Sequence, residues 1–459
     1  MSAFDRDAPP GPGPIRHFDF PPVERRTLSN GLDLRVARMP RLPVASVRLF
    51  MRAGEGGLGA ARAGLAVLTA DSLDGGTKRR GGTELAEALE RIGARLDASS
   101  GWEGTSADLY CLADRLPEAL GLLAESVCEP GFPAEEVDRA REQHLAGLRQ
   151  RVMDPGALAS DVALTRYFAQ GVPYARVLDG SVESVTPLGR EDLLGYADAN
   201  FRPGTGGLIV VGDVDGREVA TLAEKWLGSW KGTPASKDDF LVTPAATERR
   251  VLVVDRPGSV QSEVRVGHVG VECATPDYYA LSVANLVLGG VFTSRLNLNL
   301  RERNGFTYGI RSGFSFRTRP GPFEISTSVG NEQTAPAVRE ILAELSLFAE
   351  EGPTDEEVAA ARDFAAGIFG LQLETSSQIA SRVTQLVVFG LPDDYFHGYR
   401  DNVRGVTTEA AAEAARRHMR PGQAQIVVVG DAEQIAGPLE ALGLGPFDVL
   451  SGPPRTSHG

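Results

Sequence analysis

The chain has 459 residues, with 47 Lys+Arg against 61 Asp+Glu for a formal net charge of −14; hydrophobic residues make up 42% and charged ones 24%. Those are the proportions of a globular protein with room for more than one core. The acidic balance argues against a nucleic-acid binder, which needs clustered cation excess, and the longest apolar runs, such as 280–288, are shorter than a bilayer crossing requires.

Residues 1–20 contain PPGPGP, which supports neither helix nor central strand, and read as an arm. They show no basic start followed by an apolar run, so a cytoplasmic location is expected. Alternating patterns predict strands at 32–37 (LDLRVA) and 45–52 (ASVRLFMR). Gly54-Glu55-Gly56-Gly57-Leu58-Gly59 fits G-x-G-x-x-G, but no βαβ unit follows it, so a flexible loop is expected there and no dinucleotide site. Helices follow at 64–73 and 83–92, a strand at 106–112, helices at 116–127, 133–151, 157–168 and 191–199, and a strand at 207–211. Lys78-Arg79-Arg80 reads as solvated surface, and Trp226 and Trp230, four apart on a helix, as packing against the sheet.

An internal repeat organises the rest. FRPGTGGLIVVGDV at 201–214 returns as MRPGQAQIVVVGDA at 419–432, and EEVDRAR at 135–141 returns as EEVAAAR at 356–362, at offsets of 218 and 221 positions. A period that long means two duplicated domains, not a solenoid. The boundaries read as an arm at 1–20, a first domain at 21–231, a polar linker at 232–248, a second domain at 249–450 and a tail at 451–459. Strands meeting as meanders with helices on one face place the chain in the α+β class. Asp213 and Asp431, ending the repeated strands, read as turn closers.

Three cysteines, Cys111, Cys128 and Cys273, lie far apart and form neither a disulfide framework nor a metal clip; they read as small buried hydrophobes. The six histidines (His17, His144, His268, His397, His418, His458) include no pair at the four-residue spacing that places two imidazoles on one helical face. His144 falls on the apolar side of its helix and reads as structural.

Gly64-Leu-Ala-Val67-Leu-Thr-Ala70-Asp71, then Gly75-Gly-Thr77 and Ile92-Gly-Ala, resembles the first domain of the insulinase/pitrilysin (inverzincin) metallopeptidases, which read G-L-A-H-x-x-E-H there. In the second half, Thr293-Ser-Arg295-Leu and Arg301-Glu-Arg-Asn-Gly305-Phe-Thr-Tyr308 resemble the family's S-R-L, R-E and G-x-x-Y pattern. The resemblance covers about residues 20–440. It implies two homologous α+β domains facing each other like a clam shell. The family's metal-binding histidines correspond to Val67 and Asp71, its general-base glutamate to Ala70, and its third ligand, 76 residues further on, to Gly147. A catalytic zinc needs three protein ligands and a carboxylate to deprotonate its water, so this chain is expected to hold no metal and no cofactor of its own.

Arg301 and Tyr308 match the pair that one subunit of the family's two-subunit bacterial enzymes contributes to the zinc site of the other. The resemblance therefore implies a non-catalytic subunit of a heterodimer, with zinc in a homologous partner and peptides as substrates. The alternative is a pseudoenzyme with a structural or binding role, comparable to the core subunits of the respiratory cytochrome bc complex. Neither nucleic acid nor a membrane is expected as a partner.

Overall fold

The computed structural model describes residue 13 and residues 19–233 and 240–452. Most of the expected arm, with His17, the middle of the expected linker at 234–239, and the tail from 453, with His458, lie outside the described residues.

Two six-stranded sheets form the frame. The first contains β1 (Val23–Thr27), β2 (Asp33–Arg38), β3 (Val44–Met51), β4 (Arg95–Ser100), β5 (Thr105–Leu112) and β6 (Gly207–Gly212), in the order β1-β2-β6-β3-β5-β4. The second contains β7 (Arg250–Asp255), β8 (Gln261–Val269), β9 (Ile310–Phe314), β10 (Pro322–Gly330), β11 (Gln425–Gly430) and β12 (Phe447–Ser451), in the order β12-β7-β11-β8-β10-β9. The repeated Val-Val strands β6 and β11 hold the same place in both. Pairing is antiparallel except for β2 with β6, β7 with β11 and β7 with β12. The outermost strand differs: β1 precedes its neighbour and runs antiparallel to it, whereas β12 arrives from the end of the second half and runs parallel to β7. This is the α+β class with mostly antiparallel sheets that the sequence implies.

Why β6 and β11 read as unbroken apolar runs follows from what covers them. Every residue of each is buried. Side chains alternate across a strand, so Leu208 and Val210 enter the first sheet's own core, while Ile209 and Val211 point to the opposite face. That face is covered by the helix Ser376–Phe389 from the second half, through Ile379, Val383, Leu386 and Val387. Reciprocally, Ile426 and Val428 enter the second core, while Val427 and Val429 meet the helix Pro155–Tyr167 from the first half. Both faces of β6 and β11 are thus dry, and apolar runs in these central strands are the result. Burying four large aliphatic side chains from Ser376–Phe389 contributes on the order of 6–12 kcal/mol.

Polar pins fix the register of the exchanged helices. Ser46 Oγ lies 2.8 Å from Ser376 Oγ, and Arg48 on the same strand and Arg52 just past its end donate to Ser381 Oγ (3.3 Å) and the Val388 carbonyl (2.9 Å). On the other side Arg265 donates to Ser160 Oγ (3.0 Å) and the Gly156 carbonyl (2.9 Å), and Tyr167 Oη to Glu324 (3.0 Å). Gly267 is where Tyr167 crosses β8: an added Cβ would stand 2.7 Å from its Oη and 2.3 Å from the Phe323 carbonyl.

Several expectations need correction. The Gly54–Gly59 segment contains a short 3₁₀ turn, Glu55–Gly57, and is closely packed at its start: a Cβ at Gly54 would lie 2.5–2.6 Å from backbone atoms of residues 101–104. Trp226 packs on the helix Leu116–Cys128 instead of the sheet, its ring against Gly121 and its Nε1 donating to the Pro117 carbonyl at 3.0 Å; Trp230 does enter the core. The stretch Tyr278–Arg303 is long and apolar enough, by length and composition alone, to cross a membrane. Here it is interrupted between Gly290 and Arg295; Leu288, Leu296 and Leu300 are fully buried in the second core, and Leu281 is fully buried as well. The strand β4, RLDASS, escaped the sequence reading because an edge strand with a solvated face carries no apolar run. Burial pushes the thiols of Cys111 and Cys128 up to about 12 and that of Cys273 to about 11, which keeps all three protonated.

Candidate functional site

The first motif lies on the helix Leu65–Asp71. Leu65 through Ala70 are all buried, so this short helix is held by packing. It begins at Gly64, at φ +88°, where an added Cβ would lie 2.5 Å from the Asp179 carbonyl oxygen; only glycine fits that combination. No side chain at the N-cap satisfies the free amides. Glu55, fully buried, does so from the preceding turn, accepting from Gly64 N (3.1 Å) and Ala66 N (2.8 Å). Arg176 neutralises it at 2.9 Å and donates to the Glu55 and Leu58 carbonyls. The glutamate of the G-x-G-x-x-G segment is thus a helix cap, a role that sequence spacing alone did not single out.

At the other end, Val67 and Ala70 present only hydrocarbon, and Asp71 ends the helix with its side chain 46% exposed. Opposite runs the helix Ala134–Met153, which carries His144 and Gly147. Space beside Gly147 is open. One turn earlier His144 turns its Nδ1 to within 3.6 Å of Asp71 Oδ2, and its Nε2 is hydrogen-bonded to the Asp179 carbonyl at 2.7 Å. Burial works against the charged imidazole, but Asp71 and the Asp179 carbonyl more than offset it, and the pKa of His144 is raised. Both ring nitrogens are therefore engaged. Among the described residues no group of three or more His, Cys, Asp or Glu is placed to hold a metal ion.

The second motif is a scaffold with two projecting side chains. Arg295, within the helical stretch Tyr278–Arg303, makes a bidentate pair with Glu357 (2.7 and 2.6 Å) and lies over the Phe348 ring. Although burial pushes Glu357 up, Arg295 and the Thr354 amide hold its carboxyl below the usual range. Buried Asn297 clamps β9 by donating to the Ile310 carbonyl (2.8 Å) and accepting from Ile310 N (3.2 Å). Between them Gly305, at φ +66°, turns the chain, with its N–H on the Arg301 carbonyl (3.1 Å) and Phe306 N–H on the Leu300 carbonyl (2.8 Å). Thr307 donates to the Ser328 carbonyl. On this frame Arg301 stacks over the exposed Phe292 ring, Cζ 4.0 Å from its centroid, and its Nε lies 3.4 Å from Glu302. Tyr308 precedes β9 and is 95% exposed, so it is not a packed strand aromatic.

Comparison with known proteins follows the same division. Residues 37–167 match the sequence model of the insulinase family, peptidase family M16, and residues 187–364 match the peptidase M16 inactive domain. The chain belongs to the insulinase (M16) peptidase family. Among M16 relatives, an uncharacterized zinc protease of Mycobacterium tuberculosis is 27% identical over 412 residues, covering 88% of this chain and 92% of that one. A non-peptidase homolog, YmxG, of Helicobacter pylori is 24% identical, covering 86% and 90%. The crystal structure of a peptidase M16 inactive domain from Pseudomonas fluorescens superimposes with a TM-score of 0.82 at 26% identity, covering 89% of this chain and 97% of that one.

The zinc that the family resemblance implies does not fit this M16 chain. Of the four positions only Asp71 carries a donor atom, and that carboxylate faces an imidazole already bonded on its far side.

Proposed function

We propose that this chain is a non-catalytic subunit of a two-subunit insulinase-family peptidase, and that it lends Arg301 and Tyr308 to a zinc site carried by a homologous partner. The reading rests on one conjunction. The chain's own metal positions are hydrocarbon, glycine and a single aspartate, while on a braced segment Tyr308 stands exposed to solvent and Arg301 is half-buried, stacked over Phe292. A phenol hydroxyl can donate to the oxygen on which negative charge develops when a peptide carbonyl is attacked. An arginine fork can hold a substrate carbonyl or carboxylate. The match to the M16 inactive domain and the likeness to a non-peptidase homolog support the non-catalytic part of the proposal. Substrates would be peptides or unfolded segments, cleaved in the cytoplasm.

The test is reconstitution with a homologue that carries an intact metal motif, assayed on a quenched fluorescent peptide. Tyr308→Phe is expected to lower turnover about 10²-fold, the effect of removing one such donor, and Arg301→Ala to lower it comparably, with the heterodimer intact by size-exclusion chromatography. Parental turnover in both variants refutes the proposal. Association without cleavage by any such partner leaves the structural or binding pseudoenzyme.

A further inference from the structure

Each open sheet leaves two edge strands, β1 and β4 in the first and β12 and β9 in the second. An edge strand presents unpaired N–H and C=O groups, and charged side chains are a common guard against its pairing with another strand. Three of the four edges follow that rule. The strand β1 exposes Glu24, Arg25 and Arg26, β4 exposes Arg95 and Asp97, and β9 exposes Arg311. None of the three carries a large apolar side chain that is exposed. The fourth edge is built differently. All of β12 after Phe447 is exposed, including Val449 (49%) and Leu450 (51%). Its one charge, Asp448, is engaged by Arg166 of the helix Pro155–Tyr167 at 3.4 Å. Among the described residues no strand pairs with the outer side of β12.

This strand also has no counterpart in the repeat. The residues ahead of β7 do not form an outermost strand as those ahead of β2 do. Ala169 N–H donates to the Thr243 carbonyl (2.9 Å) and Ala245 N–H to the Tyr167 carbonyl (3.1 Å), so that stretch runs along the end of the exchanged helix. The free side of β7 is left to β12. Val251 N–H donates to the Pro446 carbonyl (2.9 Å) and Gly452 N–H to the Asp255 carbonyl (3.0 Å). Partners alternate along a parallel ladder, so residues 446, 448, 450 and 452 turn their backbone groups to β7. Phe447, Val449 and Ser451 turn theirs outward.

We propose that this edge pairs with the same edge of a second copy of the chain, β12 against β12, antiparallel across a two-fold axis at Val449. That register sets Val449 opposite its counterpart in the other copy and Phe447 opposite Ser451, pairs in which both residues exchange N–H and C=O. It also suits the charges. Asp448 falls across from Leu450, whereas an axis at Asp448 would set two carboxylates face to face, which is destabilising. Val449 and Leu450, on opposite faces of the strand, both lose water when the sheets join. A contact of this kind is self-complementary and closes at two copies. One short strand on each side makes a small interface, so the association is weak and depends on concentration. The strand order puts β12 and β9 at opposite edges of their sheet, so the pairing leaves Arg301 and Tyr308, which precede β9, uncovered. It stands whether or not those two residues serve a partner's zinc site.

Sedimentation equilibrium of the whole chain at about 1–200 µM tests it, with a melting curve for each variant. The parent is expected to pass from monomer toward dimer across that range. Val449→Pro removes an outward N–H and none of the bonds to β7, and proline is tolerated on the solvent side of an edge strand. It should weaken association about tenfold or more and leave the melting curve unchanged. Val449→Lys, which adds the charge that guards the other edges, should act alike; if the proline variant melts early, the lysine variant decides. Val449→Thr keeps the N–H and a β-branched side chain and should dimerise within about threefold of the parent. Hydrogen exchange over 447–452 should slow at the high concentration in the parent and not in Val449→Pro. A parent that stays monomeric throughout overturns the proposal, as does a dimer that neither the proline nor the lysine variant weakens. A threonine variant as weak as the proline variant also overturns it, because adhesion of an apolar side chain would then explain the dimer without strand pairing.

Discussion

Glu55→Gln probes the device that positions the family's signature helix in this chain. The carboxylate is fully buried, accepts two short amide hydrogen bonds at the helix start, and faces Arg176 at 2.9 Å. Glutamine keeps one acceptor oxygen, but its amide nitrogen then confronts donors on both sides, the helix amides and the guanidinium. Removing one partner of a buried ion pair costs about 3–5 kcal/mol. Arg176 retains the Glu55 and Leu58 carbonyls and is 17% exposed, which moves the expectation to the lower end, about 3 kcal/mol. Urea denaturation followed by circular dichroism measures it. A double-mutant cycle with Arg176→Met should show a coupling of at least about 1 kcal/mol, because the second change removes the stranded charge. A loss below about 1 kcal/mol for Glu55→Gln, or additivity in the cycle, refutes the assignment of Glu55 as the charged cap.

Other consequences are as concrete. Gly267→Ala should destabilise by about 1–3 kcal/mol through overpacking, since the new Cβ meets the Phe323 carbonyl and Tyr167 Oη beneath the exchanged helix; thermal melts of the two proteins decide it. Leu386→Ala, which opens a cavity under the helix from the second half, should cost about 2–5 kcal/mol, and an unchanged urea midpoint would mean that this helix is not docked on the first sheet. The His144–Asp71 contact has a definite pH sign. A histidine whose pKa is raised on folding adds stability in full below its unfolded value, and that contribution fades as pH rises through the folded value. Asp71→Asn should therefore cost roughly half a kcal/mol near pH 6 and less near pH 9; a larger loss at the higher pH contradicts the pairing. Tyr308→Phe should leave the urea midpoint within about 0.5 kcal/mol of the parent, because the side chain stands 95% in solvent.

Much of the fold and of the site was legible in the linear sequence because it is written in local patterns. The α+β class, the duplication, the strand runs of β6 and β11, and the paired long helices at Ala134–Met153 and Asp355–Leu371 all follow from periodicity and from residues repeated at a common offset. The absence of ligating groups at Val67, Ala70 and Gly147 is equally a property of side-chain chemistry and needs no coordinates. Contacts between residues far apart in sequence are different in kind, because no local pattern encodes which surface an apolar face will meet. Only the tertiary structure shows that the helices Pro155–Tyr167 and Ser376–Phe389 change places, which explains why β6 and β11 carry no polar face. Only packing brings Glu55 under the helix start and His144 to Asp71. Each of those meetings depends on where two separate elements come to rest, and that is set by burial summed over the whole chain.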